Sequence, residues 1–281
     1  QSFSRIDSLR ALVHNSEGEE RFDNLNNLGF EFRLSFPDST IYYCEQAYKL
    51  GKEIKIKKGL SRPLSFIGLA NAYKGDYKSS FDYHNRAIAI AEEERDSVQL
   101  AFGYNNFGRL FFDQGDLVRA YNNFLKARVI FENINDKHGL SYVNRSLSNL
   151  YKSQRDYDKA LSMAVSAYRL RKDLGDPRGI LSALMELGLI YQEVNDTTRA
   201  VTSLYSADSI ANAINDQISH AEILLALSDI LFDQGQLNLA CEKSNEAIII
   251  INKTNNRRLL PRGNLQLGKC AVERRDYGSA I

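Results

Sequence analysis

The chain has 281 residues, of which 43% are hydrophobic, so it is long enough to bury an extensive apolar core. Its formal net charge of +1 lacks the basic excess typical of proteins that bind nucleic acid or a membrane surface, which argues against both roles. No apolar run approaches the roughly 18 residues that a membrane-spanning helix needs.

The first segment of the chain is predicted to be a cap. Phe3, Ile6 and Leu9 recur at helical spacing, which predicts an amphipathic helix over residues 1–13. A polar loop then reaches residue 20. We therefore assign residues 1–20 to an N-terminal capping helix and loop that shields the element after it.

Two irregular helical hairpins are expected next. A helix is predicted to open at Arg21 and a second one at Pro37, with a turn that is one residue short. In the following hairpin, Leu69-Ala70 and Tyr73 are assigned to the interface between its two helices. That register predicts a deletion of two residues in the turn before Asp76, and hence a tilted first helix.

The clearest pattern in the chain begins at Ala101, which is numbered here as position 1 of a repeat. Small residues and aromatics then occupy positions 7, 8, 11, 20, 24 and 27, namely Phe107, Gly108, Phe111, Ala120, Phe124 and Ala127. The same phase returns every 40 residues, over 147–167, 187–207 and 227–247, and begins again at 267. A strict period of this kind is typical of repeat architectures.

This pattern resembles the tetratricopeptide repeat, in which small residues let two antiparallel helices approach closely. The resemblance implies an all-α fold, a right-handed superhelix (α-solenoid) of about seven helical hairpins. The array occupies residues 21–281, with units of about 21–59, 60–96, 97–136, 137–176, 177–216, 217–256 and a truncated 257–281. Because such arrays normally end in a polar capping helix, we expect the natural protein to continue beyond Ile281.

The turns between the predicted helices share one chemistry. Aspartate recurs there because its side chain can cap the following helix. These positions are Asp76, Asp116, Asp156, Asp196 and Asp276 within the units, and Asp96, Asp136, Asp176, Asp216 and the pair Asn255-Asn256 between them. No catalytic role is needed to explain these carboxylates.

Residues that could carry chemistry are sparse. No two of the four histidines lie at the spacing of a helical metal pair, and His84 falls on a core-facing position. The three cysteines form no C-x-x-C motif, so buried thiols are the default interpretation, with a disulfide between Cys241 and Cys270 as the alternative. The sequence therefore predicts no catalytic residue, no metal site, no cofactor and no enzymatic activity.

The resemblance also implies where a partner would bind. In tetratricopeptide proteins the first helices line a concave groove, through roughly positions 2, 5, 9 and 12 of each unit. The corresponding residues here are Asn71, Phe102, Asn105, Arg109, Phe112, Tyr142, Arg145, Asn149 and Lys152. Asparagine amides can bond an extended backbone, arginine can bind a carboxylate and aromatics can anchor a side chain. The alternative is that these residues form an ordinary solvated face.

Charge is distributed unevenly along the groove-facing phases. The first four units carry the basic residues Arg33, Lys74, Arg109, Arg145 and Lys152, whereas the fifth and sixth carry Glu193, Glu222, Asp229 and Asp233 on or beside those phases. The pattern predicts a groove that is basic toward its N-terminal half and acidic further on. Such a groove would hold an extended partner in one direction.

A second resemblance concerns the biological context. The segments Ile6-Asp7-Ser8-Leu9, Leu25 to Gly29 and Pro37 to Thr40 resemble the sensory tetratricopeptide regions of bacterial membrane-anchored histidine kinases and related regulators. This implies a non-catalytic module of a larger signalling protein that binds a protein or peptide. The module itself is expected to contact neither nucleic acid nor a membrane, and a homodimer is possible. It implies a periplasmic location, with which Gln1 in place of an initiator Met is compatible. The alternative is a self-contained cytoplasmic regulator that acts on a response regulator or another signalling partner.

Overall fold

The computed structural model describes residues 2–33, 36–254, 256 and 258–273, which form helices joined by short turns and contain no strand. In chain order the helices are Ser2–Asn15 (α1), Gly18–Phe32 (α2), Pro37–Glu53 (α3), Ser61–Tyr73 (α4), Tyr77–Glu93 (α5), Ser97–Asp113 (α6), Leu117–Asn133 (α7), Lys137–Ser153 (α8), Tyr157–Asp173 (α9), Pro177–Glu193 (α10), Thr197–Ala213 (α11), Gln217–Asp233 (α12), Leu237–Thr254 (α13) and Leu260–Glu273 (α14). The predicted fold class, an all-α solenoid of helical hairpins, is confirmed. No helix within the described ranges has the length and apolarity to cross a membrane.

The turns repeat one capping arrangement. A residue in the left-handed conformation ends a helix, and the aspartate after it accepts a hydrogen bond from the backbone N–H three residues on. At the α6–α7 turn, for example, Gly115 has a φ of 79° and the Asp116 carboxylate accepts from the N–H of Arg119 at 2.9 Å. The other described aspartates with this bond are Asp76, Asp96, Asp136, Asp156, Asp176, Asp196 and Asp216. The predicted caps Asn255 and Asp276 lie outside the described residues.

Close contact within each hairpin depends on a small residue in the first helix. Gly108 of α6 faces Phe124 of α7, and a Cβ added to Gly108 would lie 2.6 Å from the Phe124 ring. Gly68 of α4 faces His84 of α5 in the same way, at 2.8 Å. The absence of a side chain at these two positions lets a bulky ring of the second helix reach the backbone of the first.

The structure corrects the predicted register of the second hairpin. Because Gly68 contacts His84 as Gly108 contacts Phe124, Gly68 is the true position 8, and Ala70 is not. The spacing from Gly68 to Asp76 then equals that from Gly108 to Asp116, so the predicted deletion in the turn was wrong. The irregularity lies instead at the start of α4, which has 13 residues where α6 has 17.

The N-terminal helix packs on the first hairpin. Ile6 and Leu9 of α1 join Leu28 and Phe32 of α2 in one buried cluster. Helix α2 begins at Gly18, three residues before the predicted start at Arg21, because Gly18 adopts a left-handed φ of 56° that turns the chain sharply after α1. The apolar spacing that suggested an amphipathic cap therefore corresponds to a packed face.

The chain divides into two compact units, residues 1–150 and residues 151–281, and the division falls within α8. The first unit has its buried clusters between successive helices, for example around Leu64, Ile67 and Ala87. In the second unit a larger cluster joins α10, α11 and α12 and contains Leu204 and Ile223. Each unit distributes its core between neighbouring helices, as expected of a repeat array.

A disulfide joins α13 to α14 in the second unit. Cys241 and Cys270 are both buried and bonded, with their Cα atoms 5.6 Å apart. The default interpretation of these two as free thiols was therefore wrong, and the alternative is what the structure shows. Cys44 is a buried free thiol, and burial raises its pKa to about 12.

Candidate functional site

The first helices of the hairpins form the inner face of the first unit. Helix α2 contacts α4 and α4 contacts α6, whereas no comparable contact joins α3, α5 and α7 in the described residues. The first helices of successive hairpins therefore lie closer together than the second helices. This unit curves toward its first helices, so α2, α4 and α6 line the inner side of the curve. We call the side chains on this side of residues 1–150 the inner face.

Polar and aromatic contacts bridge α2 to α4 across the inner face. Arg62 of α4 donates to the Asp23 carboxylate at 3.1 Å and to the Asn27 amide oxygen at 2.6 Å. Next to them, the rings of Phe30 and Phe66 pack with their centroids 5.0 Å apart. The face is thus built of alternating charged, amide and aromatic groups.

Similar contacts bridge α4 to α6. Asn106 of α6 donates to the Ser65 hydroxyl at 2.9 Å, and Arg109 donates to the Tyr73 hydroxyl at 3.1 Å. Asn27, Phe66 and Asn106 occupy equivalent positions of successive first helices. Every first helix of the unit from α2 to α6 therefore contributes side chains to one continuous surface.

Arg33, directly after α2, has an unusual environment. Its guanidinium lies 3.5 Å from the centroid of the Phe30 ring and donates to the Phe30 carbonyl at 2.6 Å. Burial lowers the pKa of Arg33, and the positive charge of Arg109 acts in the same direction. Negative or polar neighbours oppose this shift, in the order Glu31, Tyr73 and Tyr142.

Two further titrating groups sense Arg109. Burial is the main cause that lowers the pKa of His84 to about 3, and the charge of Arg109 lowers it further. Desolvation raises the pKa of Asp113, and the attraction of Arg109 opposes that rise. Arg109 is thus the cation that the surrounding groups of α4 to α6 share.

The predicted residue Asn105 lies deeper than expected, whereas Phe102 is half-buried like the other predicted positions. The Phe102 ring is half-buried and packs edge-on against Phe131 at 5.0 Å and against Tyr142 at 5.9 Å. Asn105 is only 4% exposed, and its amide oxygen has no hydrogen-bond partner among the described residues. Asn105 is therefore too deeply buried to contact a ligand on the inner face, whereas Phe102 is partly exposed.

Asn71 is not a groove residue. In the corrected register it takes the place of Phe111, a packed position, and it is 8% exposed. Its amide donates to the Ile67 carbonyl of its own helix at 3.0 Å. The placement of Asn71 in the groove followed from the wrong register and was wrong.

The remaining predicted residues of the first unit are half-buried, as groove positions should be: Phe112, Tyr142, Arg145 and Asn149. The Arg145 guanidinium lies 5.8 Å from the centroid of the Tyr142 ring. Lys152 belongs to the second unit, where it forms an ion pair with Glu186 at 3.0 Å. Whether any of these residues binds a ligand stays a prediction.

Ion pairs reduce the predicted charge contrast. In the first unit Lys74 pairs with Asp38 at 2.5 Å. In the second unit Glu222 pairs with Arg258, and Asp229 pairs with Arg262 at 2.8 Å. Several of the charges that the sequence counts as groove charges are therefore locally neutralised. Within the described part of the chain, no group of three or more histidine, cysteine, aspartate or glutamate residues could hold a metal ion.

Sequence reasoning missed Phe30, Phe66, Tyr73 and Asn106 as inner-face residues. The signal was present, because Phe66 and Asn106 are 40 residues apart and share one repeat position. The wrong register of α4 concealed it, since it displaced Phe66 and Tyr73 by two positions. The contact of Gly68 with His84 agrees with the register that the 40-residue step from Gly108 gives.

Fold and inner face together define an α-solenoid of helical hairpins, similar to that of tetratricopeptide-repeat proteins. Residues 145–178 match the family model of the tetratricopeptide repeat. No curated protein sequence is significantly similar to this chain.

Solved structures of several proteins share the fold. A Signal Transduction ATPase with Numerous Domains from Pyrococcus horikoshii, with a tetratricopeptide repeat sensor, matches at a TM-score of 0.70 and 14% identity, over 97% of this chain and 45% of its own. A Rap protein complexed with Competence and Sporulation Factor matches at a TM-score of 0.66 and 16% sequence identity, over 92% of this chain and 72% of its own. The quorum sensor NprR of B. thuringiensis matches at a TM-score of 0.64 and 14% sequence identity, over 99% of this chain and 78% of its own. The chain spans less than half of the Pyrococcus protein, and these likenesses concern the fold.

Proposed function

We propose that this chain is a non-catalytic interaction module whose inner face in residues 1–150 binds an extended peptide or protein segment. The observation that carries the proposal is the continuous row of half-buried or exposed amide, aromatic and guanidinium side chains across α2, α4 and α6. Phe66 and Arg109 are half-buried members of that row. An extended chain lying across parallel helices would meet one such group per repeat.

The chemistry of the row suits a peptide. Asn106 and Asn27 offer amide groups that can both donate and accept, which matches the alternating N–H and C=O groups of an extended backbone. The paired rings of Phe30 and Phe66 offer apolar area to a side chain. A solved Rap protein of the same fold is a complex with Competence and Sporulation Factor, which supports the use of this architecture for binding a partner.

The proposed context is the sensory or scaffold region of a larger bacterial signalling protein. The tetratricopeptide sensor of the multidomain Pyrococcus ATPase supports such a placement, whereas the link to a sensor histidine kinase rests on the sequence resemblance alone. The Cys241–Cys270 disulfide supports a periplasmic location, because structural disulfides persist in oxidising compartments. The second candidate, a self-contained cytoplasmic regulator of a response regulator, is favoured by the fold it shares with aspartyl phosphate phosphatase F of Bacillus subtilis.

Peptide selection followed by blocking variants tests the proposed binding face. Random dodecapeptides on phage are selected against the protein, and the best ones are synthesised and measured by calorimetry. Asn27→Arg with Asn149→Arg places two bulky side chains on the inner face, and we expect binding to weaken about 10-fold or more.

The matched control adds the same two side chains to the outer side of the first unit. Val118→Arg with Val129→Arg changes residues of α7 that are 72% and 53% exposed, and it should leave affinity unchanged. If the selected peptides bind more weakly only to the Val118→Arg, Val129→Arg protein, the binding surface lies on the second helices and the proposal is contradicted.

A further inference from the structure

The connection between α3 and α4 lacks the cap that the repeat provides elsewhere. Ile56 takes the place of the aspartate that caps α6, α8, α10 and α12. Its N–H donates to the Gly51 carbonyl at 2.9 Å, as the N–H of Asp96 donates to the Ala91 carbonyl, so the two positions are equivalent. Isoleucine cannot cap a helix. Residues 57–60, which correspond to the first turn of α6, therefore lie outside α4 and extend the loop.

This loop, residues 54–60, separates apolar from basic side chains. Its apolar residues pack against the buried cluster around Phe22, namely Ile54, Ile56 and Leu60. Its lysines are all exposed, namely Lys55, Lys57 and Lys58. The Glu94 carboxylate of the α5–α6 turn accepts from the N–H groups of Gly59 and Leu60. The lysines thus extend from a backbone that is already held in place, which lowers the entropy cost of binding them.

Two more cations continue the basic surface onto the outer side of α3 and α5. The Lys52 ammonium lies 5.7 Å from the centroid of the Tyr48 ring, and the Arg86 guanidinium lies 6.0 Å from the same ring. Both cationic side chains are exposed. One tyrosine therefore brings together cations from two second helices. We call the five side chains the outer basic surface: Lys52, Lys55, Lys57, Lys58 and Arg86.

None of these five cations pairs with a carboxylate within the described residues, whereas other lysines of the first unit do. Lys49 pairs with Glu53 at 4.0 Å, and Lys74 pairs with Asp38 at 2.5 Å. The whole chain has a formal net charge of only +1, so the outer basic surface is a local excess of positive charge. Neighbouring like charges repel, and an anionic partner that lies among them relieves this repulsion.

We propose that the outer basic surface binds an acidic segment of a partner protein, at a site separate from the inner face. The five cations belong to α3, α5 and the loop between α3 and α4, whereas the inner face is formed by α2, α4 and α6. Acidic side chains along one extended segment can meet the cations in turn, and complementary charge of this kind fixes register and speeds encounter. The inference goes beyond the proposed function, because it needs no ligand on the inner face.

Acidic residues around the outer basic surface favour a narrow partner. Glu53 follows Lys52 directly, and Glu92 and Glu93 precede the Glu94 that contacts the loop; all three are exposed. A membrane surface or a nucleic-acid duplex carries anions over a broad area, so these carboxylates would repel it. A single acidic chain is narrow enough to follow the cations without meeting the carboxylates.

Calorimetry with a synthetic peptide tests the proposal. The probe is a dodecapeptide that alternates glutamate with serine, with both termini blocked, and its partner probe has glutamine in place of glutamate. We expect the glutamate peptide alone to bind wild type, and added salt to weaken that binding. The variant with Lys52→Gln, Lys55→Gln, Lys57→Gln and Lys58→Gln should bind it about 10-fold more weakly or worse. Failure of the glutamate peptide to bind wild type would overturn the proposal.

The matched control removes the same number of charges elsewhere. The variant with Lys78→Gln, Lys126→Gln, Lys172→Gln and Lys253→Gln changes exposed residues only and should bind the peptide as wild type does. Circular dichroism checks that both variants fold. Equal losses in the two variants would show attraction to the net charge of the chain and overturn the proposal.

Further arms separate this surface from other partners and from the inner face. Phosphatidylserine vesicles or single-stranded DNA that bind through the four loop-region lysines, where the glutamate peptide does not, would assign the surface to another class of partner and overturn the proposal. Weaker binding of the glutamate peptide to the Asn27→Arg, Asn149→Arg protein would place the peptide on the inner face and also overturn it. The proposed function is tested separately, since peptides selected on the inner face should bind the four-lysine variant with wild-type affinity.

Discussion

His84 is the buried histidine of the first unit, and both of its ring nitrogens lack a hydrogen-bond partner among the described residues. Its equivalents in the repeat include Phe124, which faces a glycine in the same manner. A ring of that size is what the contact requires, and the two nitrogens contribute nothing visible to it. His84 is fully buried, which confirms the core-facing position predicted from the sequence.

The titration of His84 gives a pH-dependent prediction. Its folded-state pKa, about 3, is below the value near 6.5 expected when unfolded, so the unfolded protein binds the extra proton as pH falls through that interval. Stability should therefore be full above pH 6.5 and decline toward pH 3. His84→Phe should abolish this contribution and stabilise the protein relative to wild type by about 2 kcal/mol more at pH 5 than at pH 7.5.

Denaturant unfolding at the two pH values measures this difference. His14→Gln is the control, because His14 is exposed and should behave as wild type. Parallel pH profiles for wild type and His84→Phe would show that His84 is accessible to protons in the folded state.

Ala127 tests the close packing of α7. It is fully buried, and its methyl group fills the space that the repeat leaves at position 27. Ala127→Leu should destabilise by about 1–3 kcal/mol through overpacking. Val118→Leu adds volume to the same helix at a position that is 72% exposed, and it should leave the melting temperature unchanged. Equal melting temperatures for both variants would show that α7 is not tightly packed at Ala127.

At the scale of elements, a covalent bond holds α13, the second helix of the sixth unit, to α14, the first helix of the next unit. Cys241 and Cys270 are separated by 29 residues in sequence. Closing a loop of that length in the unfolded chain should stabilise the second unit by about 3–4 kcal/mol. We expect Cys241→Ser with Cys270→Ser, or reduction of wild type, to lower the melting temperature.

A thiol count provides the direct measurement of this disulfide. Since the chain has 3 cysteines, unreduced protein in denaturant should react as one thiol, that of Cys44. Three reactive thiols would contradict the bond. Reductant should have no effect on the melting temperature of the double serine variant, which controls for other actions of the reagent.

The second hairpin shows how an element can depart from a repeat without a change in its turn. Helix α4 is shorter than α6 only at its beginning, where Ser61 follows the loop after α3. The Glu94 carboxylate at the end of α5 accepts from the backbone N–H groups of Gly59 and Leu60, at 2.9 and 3.2 Å. A side chain from another helix thus satisfies N–H groups that the shorter α4 leaves unpaired.

For the whole molecule, charge gives a prediction about binding. Although several groove-phase charges are paired within the chain, the hydrogen bond that Arg109 donates within the described residues goes to the neutral Tyr73 hydroxyl. Arg109→Glu with Arg145→Glu should therefore weaken a peptide selected on the wild type, and added salt should weaken wild-type binding. Calorimetry at two salt concentrations measures both effects, and circular dichroism checks that the double variant folds. Unaltered affinity in the folded double variant would place the partner away from the inner face.

Sequence by itself determined the features that repeat. The 40-residue period, the aspartate turns and the alternation of small and bulky residues specify helices and turns because each acts locally or between neighbouring helices. Tertiary structure alone decided the bond between Cys241 and Cys270, the contact of Phe30 with Phe66 and the contact of Arg109 with Tyr73. Each of these depends on which side chains from different helices face each other, and spacing along the chain does not encode such distances where the repeat is irregular.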